Sequence, residues 1–167
     1  MATIADKYYI TALDYYPYEL GTSLENLNYA LSSDSMHSGA NHLMGLLHME
    51  YIKDFHKAER YLQKALAGDP ENLNVCYSLA ELFIKIRDFE KADKLISYTN
   101  KIRGADMGKL NTLKALKYEY RKMYQESIEY LYKALDEVYD DDFSEYLNNI
   151  IRRVEEKMNR NSVKIFK

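Results

Sequence analysis

Residues 54–66 read Asp54-Phe55-His56-Lys57-Ala58-Glu59-Arg60-Tyr61-Leu62-Gln63-Lys64-Ala65-Leu66, and the chain writes this stretch twice more. One copy opens Asp88-Phe89-Glu90-Lys91-Ala92 and runs to Asn100; the next opens Met123-Tyr124-Gln125-Glu126-Ser127 and runs to Leu135. The steps are 34 residues from Asp54 to Asp88 and 35 from Asp88 to Met123. A repeat of about 34 residues with helical content marks stacked helical hairpins, because one such unit cannot bury its apolar face alone. The expectation is a helical array whose work is binding rather than chemistry.

The punctuation around these copies fits. Asp69-Pro70 reads as a helix start, an acid cap with proline in the first turn, where its missing N–H costs nothing. Asp54 and Asp88 stand where later N-caps belong. Asp142, with Glu145 three residues on, has capping-box spacing and precedes the apolar series Phe143, Tyr146, Leu147, Ile150, Ile151, Val154 and Met158. Together the signals predict nine helices, near 3–16, 19–32, 38–52, 55–67, 71–86, 89–102, 107–121, 124–138 and 143–160, with no strand alternation. They pair into four hairpins with one helix left over.

The 167 residues are enough for one core, so a single domain is expected over 1–160, followed by a short basic tail at 161–167. With 47% hydrophobic and 29% charged residues, the chain lies well away from disordered compositions. A net charge of −3 gives no general attraction for nucleic acid or an anionic membrane. Cys76 is the lone cysteine, which excludes an internal disulfide and points to a reducing, cytoplasmic setting. No apolar run reaches the length of a membrane span, so no membrane insertion is expected. The 17 Tyr, beside 5 Phe and no Trp, suit surfaces buried on one side and wet on the other.

The repeated residues resemble the tetratricopeptide repeat. Gly45, Ala80 and Ala115 fit the family's small position midway along a first helix; Phe55, Phe89 and Tyr124 fit the aromatic that begins the second. Ala58, Ala92 and Ser127, then Ala65, Thr99 and Ala134, fit its later small positions. Small residues let two helices approach to about 8–10 Å. The match is strong over 41–135, while Ser23, Leu27 and Ala30 carry a worn copy in the first hairpin. Two departures stand out: Asp-Pro occurs only at 69–70, and Gly45 to Ala58 is a step of 13 where Ala80 to Ala92 and Ala115 to Ser127 are steps of 12. The resemblance implies an all-α, right-handed superhelical array of antiparallel helix pairs, closed by a solvating C-terminal helix at 143–160. Arg152, Arg153, Glu156 and Lys157 would lie on the exposed side of that helix.

Chemistry finds little support. His37, His42, His48 and His56 are spaced 5, 6 and 8 apart, which misses the i, i+4 spacing of helical metal ligands. No catalytic, cofactor-binding or metal residues are assigned. Asp136, Glu137, Asp140, Asp141 and Asp142 read as a solvated join that caps the next helix. The mixture Lys114, Lys117, Tyr118, Tyr120, Arg121, Lys122 reads as a solvated helix face, so no nucleic-acid partner is expected.

In the family the first helices line a concave groove. The resemblance therefore implies a partner-binding set of Tyr9, Leu13 and Tyr16, then His42, Leu46 and Met49, then Asn74, Tyr77, Ser78, Glu81 and Ile84, and last Lys109, Thr112, Leu116 and Tyr120. The family's chaperone-carboxylate clamp would fall on His42, Leu46, Ser78, Lys109 and Leu113, where only Lys109 matches, so hydrophobic contact is expected to dominate. The implied function is a non-enzymatic adaptor or scaffold module that binds a peptide or helix of a protein partner. A small secretion-type chaperone is the alternative, and an RNA-binding or enzyme subunit a distant third. Self-association or membership of a larger assembly stays open.

Overall fold

A computed structural model describes residues 1–165. Within these residues the chain forms nine α-helices, one π-helical segment and no strand. They are α1 (Ile4–Tyr15), α2 (Leu20–Ser33), α3 (Ser38–Leu47), α4 (Phe55–Gly68), α5 (Leu73–Lys85), α6 (Phe89–Thr99), α7 (Met107–Tyr120), α8 (Tyr124–Leu135) and α9 (Asp141–Ile165). The chain divides into two compact units, Met1–Leu82 and Phe83–Lys167, with the division inside α5.

Capping explains most of the helix starts. The carboxylates of Asp54, Asp88 and Asp106 accept the backbone N–H of Lys57, Lys91 and Lys109 at 3.0, 3.2 and 3.0 Å. Two expectations need correction. Asp69-Pro70 does not start α5; Asp69 ends α4, and Asn72 accepts from Val75 N–H at 3.3 Å, so the helix begins at Leu73. Likewise Asp140 caps α9, accepting from Phe143 N–H at 2.8 Å, whereas Asp142 already lies in the first turn. The same helix continues past 160, so 161–165 of the expected tail are helical, and Phe166 and Lys167 lie outside the described residues.

In the first unit α1 packs on α2, α2 on α3 and α3 on α4. Ala12, Leu27, Ala30, Ala40, Leu43, Met44 and Leu47 form its core. Gly45 sits where α3 crosses α4: a Cβ there would stand 2.6 Å from Leu62 Cγ. In the second unit α7 packs on α8 and α8 on α9 around Ala115, Ile128, Leu131, Ala134, Leu147, Ile151 and Val154. The repeated small residues Ala58, Ala65, Ala92, Thr99, Ser127 and Ala134 are all buried.

One crossing contact identifies the worn first hairpin as a true copy. Ser127 Oγ donates to the Ala115 carbonyl at 2.9 Å, and Ser23 Oγ donates to the Ala12 carbonyl at 3.0 Å. In both hairpins a second-helix serine satisfies its hydroxyl on the backbone of the small first-helix residue. A buried hydroxyl needs such a partner, so the contact fixes the depth at which the helices meet.

The extra residue between Gly45 and Ala58 also has a physical form. His48–Ile52 is a π-helical turn that ends on Lys53 in the left-handed region at φ 61. Arg87 and Lys122 take the same conformation, at φ 65 and 62, and each is followed by an N–H that bonds five residues back: Asp88 to Phe83 and Met123 to Tyr118. After Lys53 the bond reaches one residue further, from Asp54 N–H to the His48 carbonyl at 3.0 Å. A π turn holds one residue more than an α turn, so the insertion is absorbed before α4 begins.

Candidate functional site

In the first unit most of the expected partner-binding residues keep accessible surface. Tyr9 and Tyr16 are half-buried against the core and Leu13 is exposed. His42 and Leu46 on α3 are half-buried, as are Tyr77, Ser78 and Glu81 on α5, while Asn74 is exposed. The structure joins α3 to α5 through His42 Nε2 and Ser78 Oγ, 2.9 Å apart. Ser78 donates its own hydroxyl proton to the Asn74 carbonyl at 2.9 Å, so His42 Nε2 is the donor in the pair. Burial pushes the His42 pKa down and holds the ring neutral. Burial, with Tyr51 beside it, pushes Tyr16 up to about 12, so its phenol stays protonated.

Met49 does not belong to this face. It is 1% exposed. Met49 lies four residues past Gly45, as Ile84 lies four past Ala80 and Glu119 four past Ala115, and all three are buried, so the register of the repeat places this position in the interior. Tyr51 and Ile52 emerge instead, exposed at 45% and 50%.

In the second unit Lys109 is exposed, and Thr112, Leu116 and Tyr120 are half-buried along α7. Thr112 donates its hydroxyl to the Gly108 carbonyl at 2.8 Å, so its proton is already committed to its own helix. Ile84 is buried and is corrected away from the surface. Leu113, the last clamp position, is also buried.

Sequence reasoning missed the charges and rings around α7. The expected solvated face holds Lys117, only 8% exposed, whose ammonium donates to Asp93 at 2.6 Å. Glu119 is equally buried, and Arg153 and Lys157 of α9 donate to its two oxygens at 2.7 and 2.6 Å. Two of the residues read as the exposed side of the capping helix thus neutralise a buried carboxylate. Tyr118 stacks on Tyr130 with ring centres 5.4 Å apart, and Lys114 and Lys133 lie over the Tyr130 ring. Its counterpart in the first unit is His48 stacked on Tyr61, also at 5.4 Å. The signal was in the register: His48 and Tyr118 each lie three residues past Gly45 and Ala115, and Tyr61 and Tyr130 each lie three past Ala58 and Ser127.

The remaining polar groups have structural work. His37 accepts the Ala40 N–H through Nδ1 at 3.0 Å, which leaves Nε2–H to donate to Asp6, also at 3.0 Å. The backbone N–H of Thr3, followed by His37, pulls the Asp6 carboxyl down to about 2. Cys76 is a buried thiol. Among the described residues no group of three or more His, Cys, Asp and Glu could hold a metal ion, and no helix is long and apolar enough to cross a membrane.

The arrangement offers half-buried apolar and hydroxyl groups on first helices and a packed code on second helices. Residues 53–116, from α4 into α7, match the tetratricopeptide repeat family. The match takes in two of the three clear copies. No curated protein matches the chain.

Proposed function

We propose that this tetratricopeptide repeat protein is a non-catalytic adaptor or scaffold module whose first helices hold a peptide or helix of a partner protein. Tetratricopeptide repeats generally mediate protein–protein interaction. The observation that carries the reading is a division of labour between helices. The small residues that repeat on second helices, Ala58, Ala65, Ala92, Thr99, Ser127 and Ala134, are buried, whereas His42, Leu46, Tyr77, Ser78, Leu116 and Tyr120 keep accessible surface on first helices. An interface built from such half-buried aromatic and aliphatic side chains concentrates its energy in a few anchors.

Tyr77→Ala with Leu116→Ala tests the reading, using affinity capture of partners from the native cell. Removing two anchors costs about 2 kcal/mol each at a hot spot, so captured partner should fall at least tenfold while the circular-dichroism melt keeps its cooperativity. Undiminished capture by the folded double variant would place the interface elsewhere.

A further inference from the structure

The first unit is acidic, and its few cations are gathered in one place. Met1–Leu82 contains eleven Asp or Glu against five Lys or Arg, namely Lys7, Lys53, Lys57, Arg60 and Lys64. Three of the five, Lys57, Arg60 and Lys64, follow i, i+3, i+7 spacing along α4, which puts them on a single stripe. Such clustering against the unit's overall charge is a local positive field with a definite address.

Two hollows open beside that stripe. One, of about 100 Å³, is lined by Lys57, Arg60, Tyr61 and Lys64. The other, of about 220 Å³, lies between α2, α3 and α4; Tyr61 and Lys64 form part of its wall too, so the hollows are neighbours. Across the larger hollow stand Asn28, Leu31, Ser32, Ser35 and Asn41.

Asn41 adds a specific requirement. It is 0% exposed. Its amide donates to the carbonyls of Ser35 and His37, at 3.0 Å each, which fixes the orientation of the group and leaves Oδ1 with no donor from the protein. A buried carbonyl oxygen without a hydrogen bond is unfavourable in free energy. A ligand that brings an N–H to Oδ1 recovers that energy, and one that also carries negative charge meets Arg60 and Lys64.

We propose that the two hollows on α2, α3 and α4 form a docking site for an acidic peptide segment, with an amide N–H given to Asn41 Oδ1 and carboxylates placed at Arg60 and Lys64. A peptide offers both groups within one residue. Nucleic acid fits less well, because the unit's excess of carboxylates repels a long run of phosphates. The site is separate from the first-helix residues of the proposed function: its cations lie on a second helix, and its occupant is chosen by charge.

The test uses the full chain labelled with ¹⁵N and three probes: acetyl-Glu-Asp-Glu-Asp-Glu amide, its Gln/Asn analogue, and hexauridylate. The acidic peptide should move the Asn41 side-chain amide signals and the backbone signals of 57–64 saturably, and the neutral analogue should not. Arg60→Glu with Lys64→Glu should weaken that binding at least tenfold; both residues are exposed, so the fold is kept. The proposal is overturned if the neutral peptide binds equally, if the double variant binds as well as the parent, or if Asn41 is unmoved at saturation. It is also overturned if hexauridylate binds more tightly at the same residues, or if the shifts centre on 42–46 and 77–81 instead.

Discussion

The hairpins α3/α4 and α7/α8 share one blueprint and complete it with opposite means. Both cross at a small residue, Gly45 or Ala115, and both stack a ring of the first helix on a tyrosine of the second at 5.4 Å. Around α7/α8 the polar groups are closed off: Lys117 meets Asp93, Glu119 meets two cations of α9, and lysines cover Tyr130. Around α3/α4 they are left open, with a π turn, a neutral buried histidine and an amide oxygen lacking a donor from the protein. The charge balance differs in the same way, five basic against eleven acidic residues before position 83 and eighteen against fifteen after it. Repetition therefore determines the crossing and the stack, while charge and insertion give each hairpin its character.

The largest effect that would break this contrast is expected in the second unit. Removing both Arg153 and Lys157 strands Glu119 as a buried, unpaired carboxylate, at a cost of about 3 kcal/mol in urea unfolding. Adding Glu119→Gln should recover part of the loss, because the stranded charge is then gone. A loss under about 0.5 kcal/mol would class the cluster with ordinary surface pairs.

Exchanging the two crossing residues sharpens the comparison. Gly45→Ala gains about 1 kcal/mol of helix propensity, yet its Cβ would meet Leu62 Cγ at 2.6 Å in a filled core. Overpacking of this kind costs about 1–3 kcal/mol, so a net loss is expected. Ala115→Gly should lose about 1 kcal/mol from propensity alone. If Gly45→Ala is stabilising in thermal melts, α3 and α4 do not cross there.

Acid should separate the units more gently. Burial lowers the pKa of His42, and burial with Lys57 lowers that of His48, so the unfolded chain binds protons more readily than the folded one. Stability of the first unit should then be level above about 6.5 and decline as pH falls below it. All four histidines precede residue 57, so hydrogen exchange at pH 5.5 against pH 7.5, corrected for intrinsic rates, should show extra opening in α3 and α4 and little in α7 and α8. Much lower still, Asp6 loses its charge near pH 2, and with it the carboxylate that ties α1 to His37.

Sequence was a good guide wherever a residue type has one physical reading. Buried Ala, Gly and Ser at a fixed step can only mean close helix crossings, and even the worn copy kept its Ser23 contact. Caps were legible where one acid stood at the boundary, and ambiguous among Asp140, Asp141 and Asp142, because neighbouring acids compete for one role. Lys117 and Glu119 were illegible: a charged residue within a polar helix reads as solvated unless its partner is known, and the partners of Glu119 lie 34 and 38 residues away. The step of 13 announced an insertion without saying that a π turn would absorb it, and Met49 and Ile84, each four residues past the small crossing residue, read as surface although that position faces inward.

The proposed partner-binding face is best tested by hydroxyl-radical footprinting of the chain bound to its native partner. Tyr29, Tyr98 and Tyr132, exposed on the second helices α2, α6 and α8, serve as internal references for side chains outside that face. The account predicts protection of Tyr77, Leu116 and Tyr120 on binding, with those three tyrosines as reactive as in the free protein. Protection of the second-helix tyrosines, with Tyr77, Leu116 and Tyr120 unchanged, would contradict it.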